Sequence, residues 1–362
     1  MAKKIWIKAN GNGAIATGHL RRCMTIAYEL MQMGCEVTYI LSDDDSDHTL
    51  HELSKEGGDE YDSIILHTKY SQPLQDMEAL RVLMDEEKPD FFLIDSYFVT
   101  QEYFSELRSL IKELGLNTKL GYIDDLYKFD YDVDFIVNYD LKVPEDFYSA
   151  KVQLLGGQYA PLRRQFGGAD FKIHSHAKKV FLSAGGTDPY RIIRDVLNEI
   201  YFDENSPCRD VLDFTGMTCE VIVGPLFEED YVKELEDMAE KNAAITLHYN
   251  PGNMAQIMKK CDFAVSAGGT TLYELCAIGV PTVVYAMADN QVQFVRVFDE
   301  LGAAKYAGDV RDDRRLIQKI VTWGTAAVDN PGFRQRMSDK ARSIIDGKGA
   351  EKIAAAIVEM IE

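Results

Sequence analysis

The 362 residues suffice for two domains and a sizeable buried core. With 46% hydrophobic and 27% charged residues the chain reads as globular. Its 39 basic and 59 acidic side chains leave a net charge of −20, which disfavours nucleic acid and anionic lipid as partners but not a small anionic substrate held by backbone amides. The opening MAKKIWIKANGNG does not read as a signal peptide and no apolar run is long enough for a membrane span, so a cytoplasmic location is expected. The six cysteines (Cys23, Cys35, Cys208, Cys219, Cys261, Cys276) form no C-x-x-C pair and no Cys/His cluster, which predicts reduced thiols and no metal.

In chain order, KIWIKAN reads as a strand and HLRRCMTIAYELMQMG as a helix stopped at Gly34. CEVTYILS is a second strand and HTLHELSKEGG a second helix. DSIILH, a helix over 73–87, DFFLIDS, a helix over 100–114, TKLGYIDD and VDFIVN continue the alternation. Residues 140–177 hold scattered Pro, Gly and basic residues without a period, and read as a crossing segment with a boundary near Gly167–Gly168. The alternation restarts with strands KVFLSAG, CEVIVG, AITLHY, DFAVSAG and PTVVYAM, helices between them, and a final helix near 349–361. The expected architecture is α/β: two Rossmann-like, doubly wound parallel-sheet domains facing across a cleft, over 1–167 and 168–348, with 349–362 free to pack on either.

Ligands in such sheets sit beyond the carboxyl ends of the strands. That rule selects Lys8, Asn10 and the loop to His19, then Ser42–Asp43, Asp95–Ser96–Tyr97, Asp124–Asp125 and Asn138. In the second half it selects Gly185–Gly186–Thr187, Gly224, Asn250, Gly268–Thr271 and Asp289–Asn290–Gln291. Each alone is more often a structural helix cap than a functional group; their value lies in sharing one face.

The first loop carries G-x-G-x-x-A (Gly11, Gly13, Ala16), and Asp43 imitates a ribose-binding acid, which keeps an NAD oxidoreductase open. The amphipathic helix, however, begins only after Gly18, too late for its first turn to hold a pyrophosphate. His19 stands at or just before that helix start, where free amides and the helix dipole disfavour a second positive charge; a neutral imidazole suits a general base, and a capping histidine is the structural alternative. LSAGGTDP and VSAGGTTLYELCAIGVP each run strand, Gly-Gly-Thr turn, helix. Such turns bring backbone amides and threonine hydroxyls close to an anion; neither is a P-loop, since no G-K-[ST] follows. Glu274, four residues after Thr270, can accept from a ribose diol or merely favour the helix dipole.

On ATGHLRRCMTIAYEL, FFLIDSYF, GYIDDL, QLLGGQYAPLRRQF, FLSAGGTDP and SAGGTTLYELCAIGVPTVVYAMADNQ, in order from residue 5 to about 294, the chain resembles the nucleotide-sugar hydrolases of the pseudaminic acid pathway. Those enzymes release UDP from UDP-2,4-diacetamido-2,4,6-trideoxy-β-L-altropyranose. It is also similar to spore-coat polysaccharide biosynthesis proteins, and its second half to the nucleotide-binding domain of the peptidoglycan N-acetylglucosaminyl transferase, of GT-B fold. The resemblance implies metal-independent, cofactor-free hydrolysis of a UDP-sugar at the anomeric carbon with inversion, in nonulosonic acid or surface polysaccharide synthesis. It implies His19 as base; Gly185, Gly186, Thr187, Gly268, Gly269, Thr270 and Thr271 around the diphosphate; and Glu274 on the ribose. Lys8, Asn10, Gly18, Tyr97, Asp125, Asp289, Asn290 and Gln291 would face sugar or phosphates. The family's usual arginine and its acidic or small residue after the first strand are here Lys8 and Asn10, and Ala16 replaces a motif glycine, departures on the sugar side. A GT-B glycosyltransferase with a UDP-sugar donor is the alternative enzyme, and a non-catalytic nucleotide-sugar binder a third reading. The acidic stretch near 60–85 argues against membrane docking for lipid-linked acceptors; oligomeric state is open.

Overall fold

Strand β1 (Lys4–Ala9) shows why the first half folds as it does. Ile5, Ile7 and Ala9 enter one hydrophobic core and Trp6 the opposite one, so the strand is covered on both faces. The computed structural model describes residues 2–144, 146–168, 170–204 and 216–362. Cys208 lies outside them; the other five cysteines are free and buried.

The chain divides into two compact units, Met1–Arg163 with Lys348–Glu362, and Arg164–Gly347. In the first unit β1 is followed by α1 (Gly18–Gln32), β2 (Glu36–Leu41), α2 (Asp44–Gly57), β3 (Asp62–Ile65), α3 (Met77–Glu87) and β4 (Phe91–Asp95). Then come α4 (Gln101–Glu113), β5 (Lys119–Ile123), β6 (Phe135–Asn138) and β7 (Val152–Leu155). The strands pair in parallel in the order β3-β2-β1-β4-β5-β6-β7.

The second unit holds β8 (Lys179–Ser183), α5 (Ile192–Leu197), β9 (Thr218–Val223), α6 (Glu229–Lys241), β10 (Ile245–Tyr249), α7 (Met254–Lys259) and β11 (Phe263–Ala267). It continues with α8 (Thr270–Ile278), β12 (Thr282–Ala286), α9 (Asp289–Glu300), β13 (Lys305–Asp309), α10 (Leu316–Asp329) and α11 (Pro331–Ile344). Its sheet is also parallel, ordered β10-β9-β8-β11-β12-β13. Two doubly wound parallel sheets are therefore present, as the alternation predicts.

The sequence reading overlooks two strands. β7 lies in the stretch read as a crossing segment, where Gly156 and Gly157 directly after it break the apolar run. β13, KYAGD, is short, and its pairing with β12 shifts register at Val284/Tyr285.

The last helix, α12 (Gly349–Ile361), belongs to the first unit. Ala350, Ile353, Ala354 and Ile357, spaced i, i+3, i+4, i+7, enter the core that also holds Cys23, Ala27 and Leu30 of α1. Each buried isoleucine contributes about 1.5–3 kcal/mol relative to exposure. Gly349 is required at the helix start: a Cβ there would lie 2.1 Å from the Ala160 carbonyl oxygen. Among the described residues no helix is long and apolar enough to cross a membrane.

Candidate active site

Each sheet reverses its strand order once, between β1 and β4 in the first unit and between β8 and β11 in the second. The carboxyl ends of those strands are the places a ligand would occupy in an open parallel sheet.

In the first unit the loop from β1 to α1 is pinned. Asn12 Oδ1 accepts from the amides of Ala14 and Ile15 at 2.9 and 3.3 Å, and Asn12 bridges Ala16, whose φ is +58°. Gly11 is there for packing, since a Cβ would stand 2.7 Å from Leu20 Cδ1. The helix starts at Gly18, seven residues past Gly11, and His19 is its second residue.

His19 is 7% exposed, and its Nδ1 lies 2.6 Å from Asp95 Oδ1 at the end of β4. An ionised carboxylate only accepts, so the network assigns the proton to Nδ1 and leaves Nε2 as the basic nitrogen. Nε2 has no hydrogen bond among the described residues, yet it is not one of their buried unpaired polar atoms, so it retains contact with solvent.

Asp95 is shared. Arg22, one turn along α1, donates from Nε to Asp95 Oδ2 at 2.5 Å and from Nη2 to Oδ1. Cys23 Sγ completes the set at 3.4 Å from Oδ2. Burial by itself would push the Asp95 carboxyl up; the charge of Arg22, with the hydrogen bonds from Arg22 and His19, holds it well below the usual carboxylate range instead. Arg22 Nη1 reaches onward to Asp125 Oδ2 and the Tyr139 hydroxyl, both at 2.6 Å. Asp125 accepts from the Tyr97 hydroxyl at 3.2 Å, and the Tyr97 ring stands edge-on to the imidazole with centroids 4.3 Å apart. Burial, then Asp125, pushes the Tyr97 hydroxyl up to about 12, so it donates at neutral pH. The contacts close on themselves: His19, Asp95, Arg22, Asp125, Tyr97 and back to His19.

Of the sequence-selected residues, His19, Tyr97 and Asp125 thus come together. Lys8 and Asn10 do not join them. Lys8 is fully buried, 2.6 Å from Asp76 and 3.2 Å from Ser42 Oγ. Asn10 exchanges hydrogen bonds with Ser42 at 3.2 and 2.8 Å. The reason is local: β1 is covered on both faces, so a charge on it must be neutralised by a buried partner. Asp43 caps α2 through the Ser46 amide, and Asp124 is taken up by the Leu126 and Tyr127 amides and the Tyr148 hydroxyl. Gly18 has open space where a Cβ would point. Sequence reasoning picked Asp95 only as a strand end and missed Arg22 and Tyr139. The available signal for Arg22 was its i, i+3 spacing from His19 on one helix face.

In the second unit the two Gly-Gly-Thr turns lie side by side, because β8 and β11 are paired with Ser183 opposite Ser266. Gly185 has φ +80° and its amide donates to Ser183 Oγ at 3.1 Å, while Gly186 and Thr187 are exposed. The next loop supports this turn: a Cβ on Gly224 would stand 2.5 Å from the Gly185 carbonyl oxygen and 2.6 Å from that of Gly186. Gly268 is packed against Val295, and Gly269 caps α8 with no side-chain hydrogen bond. The first turn of α8 contains Thr270 and Thr271 and no acidic residue; Glu274 follows one turn later, half-buried. Amides at a helix start without a capping side chain or a nearby acid favour an anion. At the end of β12, Asn290 is exposed, Gln291 Oε1 accepts from the Met287 amide at 2.8 Å, and Asp289 pairs with Arg311 at 2.7 Å. Among the described residues no three His, Cys, Asp or Glu side chains converge as a metal site.

No family model matches the chain. It is 26% identical over 298 residues to an uncharacterized protein of Methanocaldococcus jannaschii, covering 80% of this chain and 56% of that one. It is 25% identical over 211 residues to the spore coat polysaccharide biosynthesis protein SpsG of Bacillus subtilis, covering 57% and 58%. Over 223 residues it is 24% identical to the Helicobacter pylori pseudaminic acid cytidylyltransferase and UDP-2,4-diacetamido-2,4,6-trideoxy-beta-L-altropyranose hydrolase, covering 60% and 37%. The chain thus spans 56%, 58% and 37% of the length of these relatives. Among solved structures, MurG of Acinetobacter baumannii superposes with a TM-score of 0.65 at 15% identity, over 99% of this chain and 100% of that one. The UDP-GlcNAc 2-epimerase of Neisseria meningitidis, bound to UDP-GlcNAc, also reaches 0.65 at 11% identity, over 99% and 100%. The two parallel-sheet domains therefore have the GT-B fold that both these structures share.

Proposed function

We propose that the chain is a nucleotide-sugar hydrolase that releases UDP from a UDP-linked acetamido-deoxy sugar. The observation that carries the reading is the His19–Asp95 pair, in which the carboxylate holds the Nδ1 proton and leaves Nε2 free to accept one. Water would attack the anomeric carbon on the face opposite the diphosphate. Its proton passes to Nε2, the electron pair of the C1–O bond leaves on the UDP oxygen, and the configuration at C1 inverts. In this reading the amides and hydroxyls of Gly185–Thr187 and Gly268–Thr271 carry the departing charge, and Glu274 accepts from the ribose. Asn290, Gln291, Tyr97 and Asp125 belong to the sugar and phosphate contacts. The similarity to the Helicobacter pylori protein, whose name includes this hydrolysis, supports the reaction class.

A positioned base contributes about 10²–10⁴-fold, and the rest must come from orientation and stabilisation of the leaving group. The test is nucleotide release from UDP-, CDP- and GDP-linked amino-deoxy sugars with no acceptor present, by wild type and His19→Ala. Rapid UDP release that falls by about 10²-fold or more in the variant supports the reading. Tight UDP-sugar binding with negligible release overturns it in favour of a glycosyltransferase, in which an acceptor hydroxyl takes the place of water at the same base.

A further inference from the structure

We propose that Arg22 is a positioning residue for His19: it divides the Asp95 carboxylate with the imidazole and, through Asp125, ties the Tyr97 ring to the same imidazole. Its catalytic meaning rests on the hydrolase reading; its effect on the imidazole does not.

The argument begins with acceptor capacity. A carboxylate offers about four lone-pair sites. On Asp95 four donors take them, His19 Nδ1 and Arg22 Nη2 on Oδ1, Arg22 Nε and Cys23 Sγ on Oδ2. Half of that satisfaction comes from one guanidinium, whose side chain is 11% exposed and whose flat fork fits both oxygens at once. The carboxylate therefore cannot rotate away from Nδ1 without losing two charged hydrogen bonds. Nη1 spends its donors on Asp125 and Tyr139, and Asp125 in turn accepts from Tyr97. One side chain thus sets the polar and the aromatic neighbours of the imidazole together.

Charge follows the same geometry. The groups facing Asp95 are His19, Arg22 and Cys23 from α1, Tyr97 from the turn after β4, and Tyr122 and Asp125 from β5 and its following turn. Tyr139 after β6 and Tyr39 of β2 also feel its charge. Arg22 is the cation in that set that stays charged at any working pH, and its Nη2 is also 3.2 Å from Nδ1. Remove it, and the His19–Asp95 pair stands beside the Asp125 carboxylate without a counter-charge. Whichever member takes the proton, the pair then takes it at higher pH.

The experiment is a ¹⁵N-imidazole NMR titration of wild type, Arg22→Met and Arg22→Lys, the His19 signal being identified by its loss in His19→Gln, alongside the pH dependence of UDP release. Arg22→Met is expected to raise the midpoint by about one unit or more, and the acid limb of kcat/KM, which also reports the free enzyme, by the same amount. Arg22→Lys keeps the charge without the fork, so its midpoint stays within about 0.3 unit while kcat falls about tenfold at unchanged KM. An unmoved midpoint in Arg22→Met overturns the proposal. Should that variant not fold, Arg22→Lys decides: wild-type kcat at a wild-type midpoint overturns it as well. A wild type that shows this dependence yet releases no UDP sinks the hydrolase reading and leaves the role of Arg22 intact. UDP release with a titration indifferent to Arg22 does the reverse.

Discussion

Gly224 and Gly186 of the second unit allow the proposed diphosphate site to be tested apart from stability. A Cβ on Gly224 would stand 2.5 Å from the Gly185 carbonyl oxygen, 2.6 Å from that of Gly186 and 2.6 Å from Phe227 Cε1. Ordinary contact begins near 3.4 Å, so the turn must retreat by 3.4 − 2.5, about 0.9 Å. Overpacking of this kind costs about 1–3 kcal/mol, and displacing the turn's amides by nearly an ångström costs a charged ligand about one tenfold step in affinity or more. A Cβ on Gly186 meets nothing within 4 Å, and its backbone is not in the left-handed region. Gly186→Ala should therefore unfold in urea within about 0.5 kcal/mol of wild type, while, under the proposed function, its methyl group stands in the way of a phosphate. Calorimetric titration with UDP, paired with urea denaturation, reads both. Gly224→Ala should lose stability and affinity; Gly186→Ala should lose affinity alone. If Gly186→Ala binds UDP within about twofold of wild type, the diphosphate does not sit on this turn and the assignment of Gly185–Thr187 fails.

Asp95→Asn keeps the shape of the carboxylate but offers Nδ1 a weaker acceptor and strands Arg22; kcat for UDP release should fall by about 10²–10⁴-fold with KM nearly constant, and a loss under threefold would contradict the pairing. Because the folded-state carboxyl of Asp95 titrates below its unfolded value, its stabilisation is complete above about pH 4 and is lost as pH falls through the folded value. Wild type should accordingly lose more stability between about pH 4 and 2 than Asp95→Asn does, measured by denaturation at fixed pH; parallel curves would refute the linkage. Glu274→Gln should weaken UDP by about tenfold but 2′-deoxy-UDP by much less, since under the proposed function the lost acceptor serves the ribose diol; equal losses would remove Glu274 from that role.

Much of this was legible in the sequence, and what was not has definite causes. Long amphipathic stretches and uninterrupted apolar runs betray α1, β4 or β11 because each buries a whole face or two. β13 escapes because five residues of KYAGD carry too little apolar pattern, and β7 because glycines follow at once. The strand-end rule brings out His19, Tyr97 and Asp125, which need only the topology to meet. It fails for Lys8, whose charge looks available on paper and is consumed by Asp76, a residue 68 positions away. Arg22 goes unnoticed because arginine in a helix is ordinary; only the folded backbone shows that Asp95 lies 73 positions along the chain and within reach. Burial and long-range pairing are the information that a single sequence withholds.

The placement of α12 has a consequence for how the molecule is made. Residues 164–347 form the second unit as one continuous insertion, whereas the first unit needs residues from both sides of it. During synthesis the ribosome delivers the seven-stranded sheet early but withholds Ile353 and Ile357, whose side chains close the core over α1, until the whole insertion has been produced. At roughly 5–20 residues per second the nascent first unit spends on the order of ten seconds or more with that apolar patch uncovered. The second unit, inserted later, is the one able to finish first.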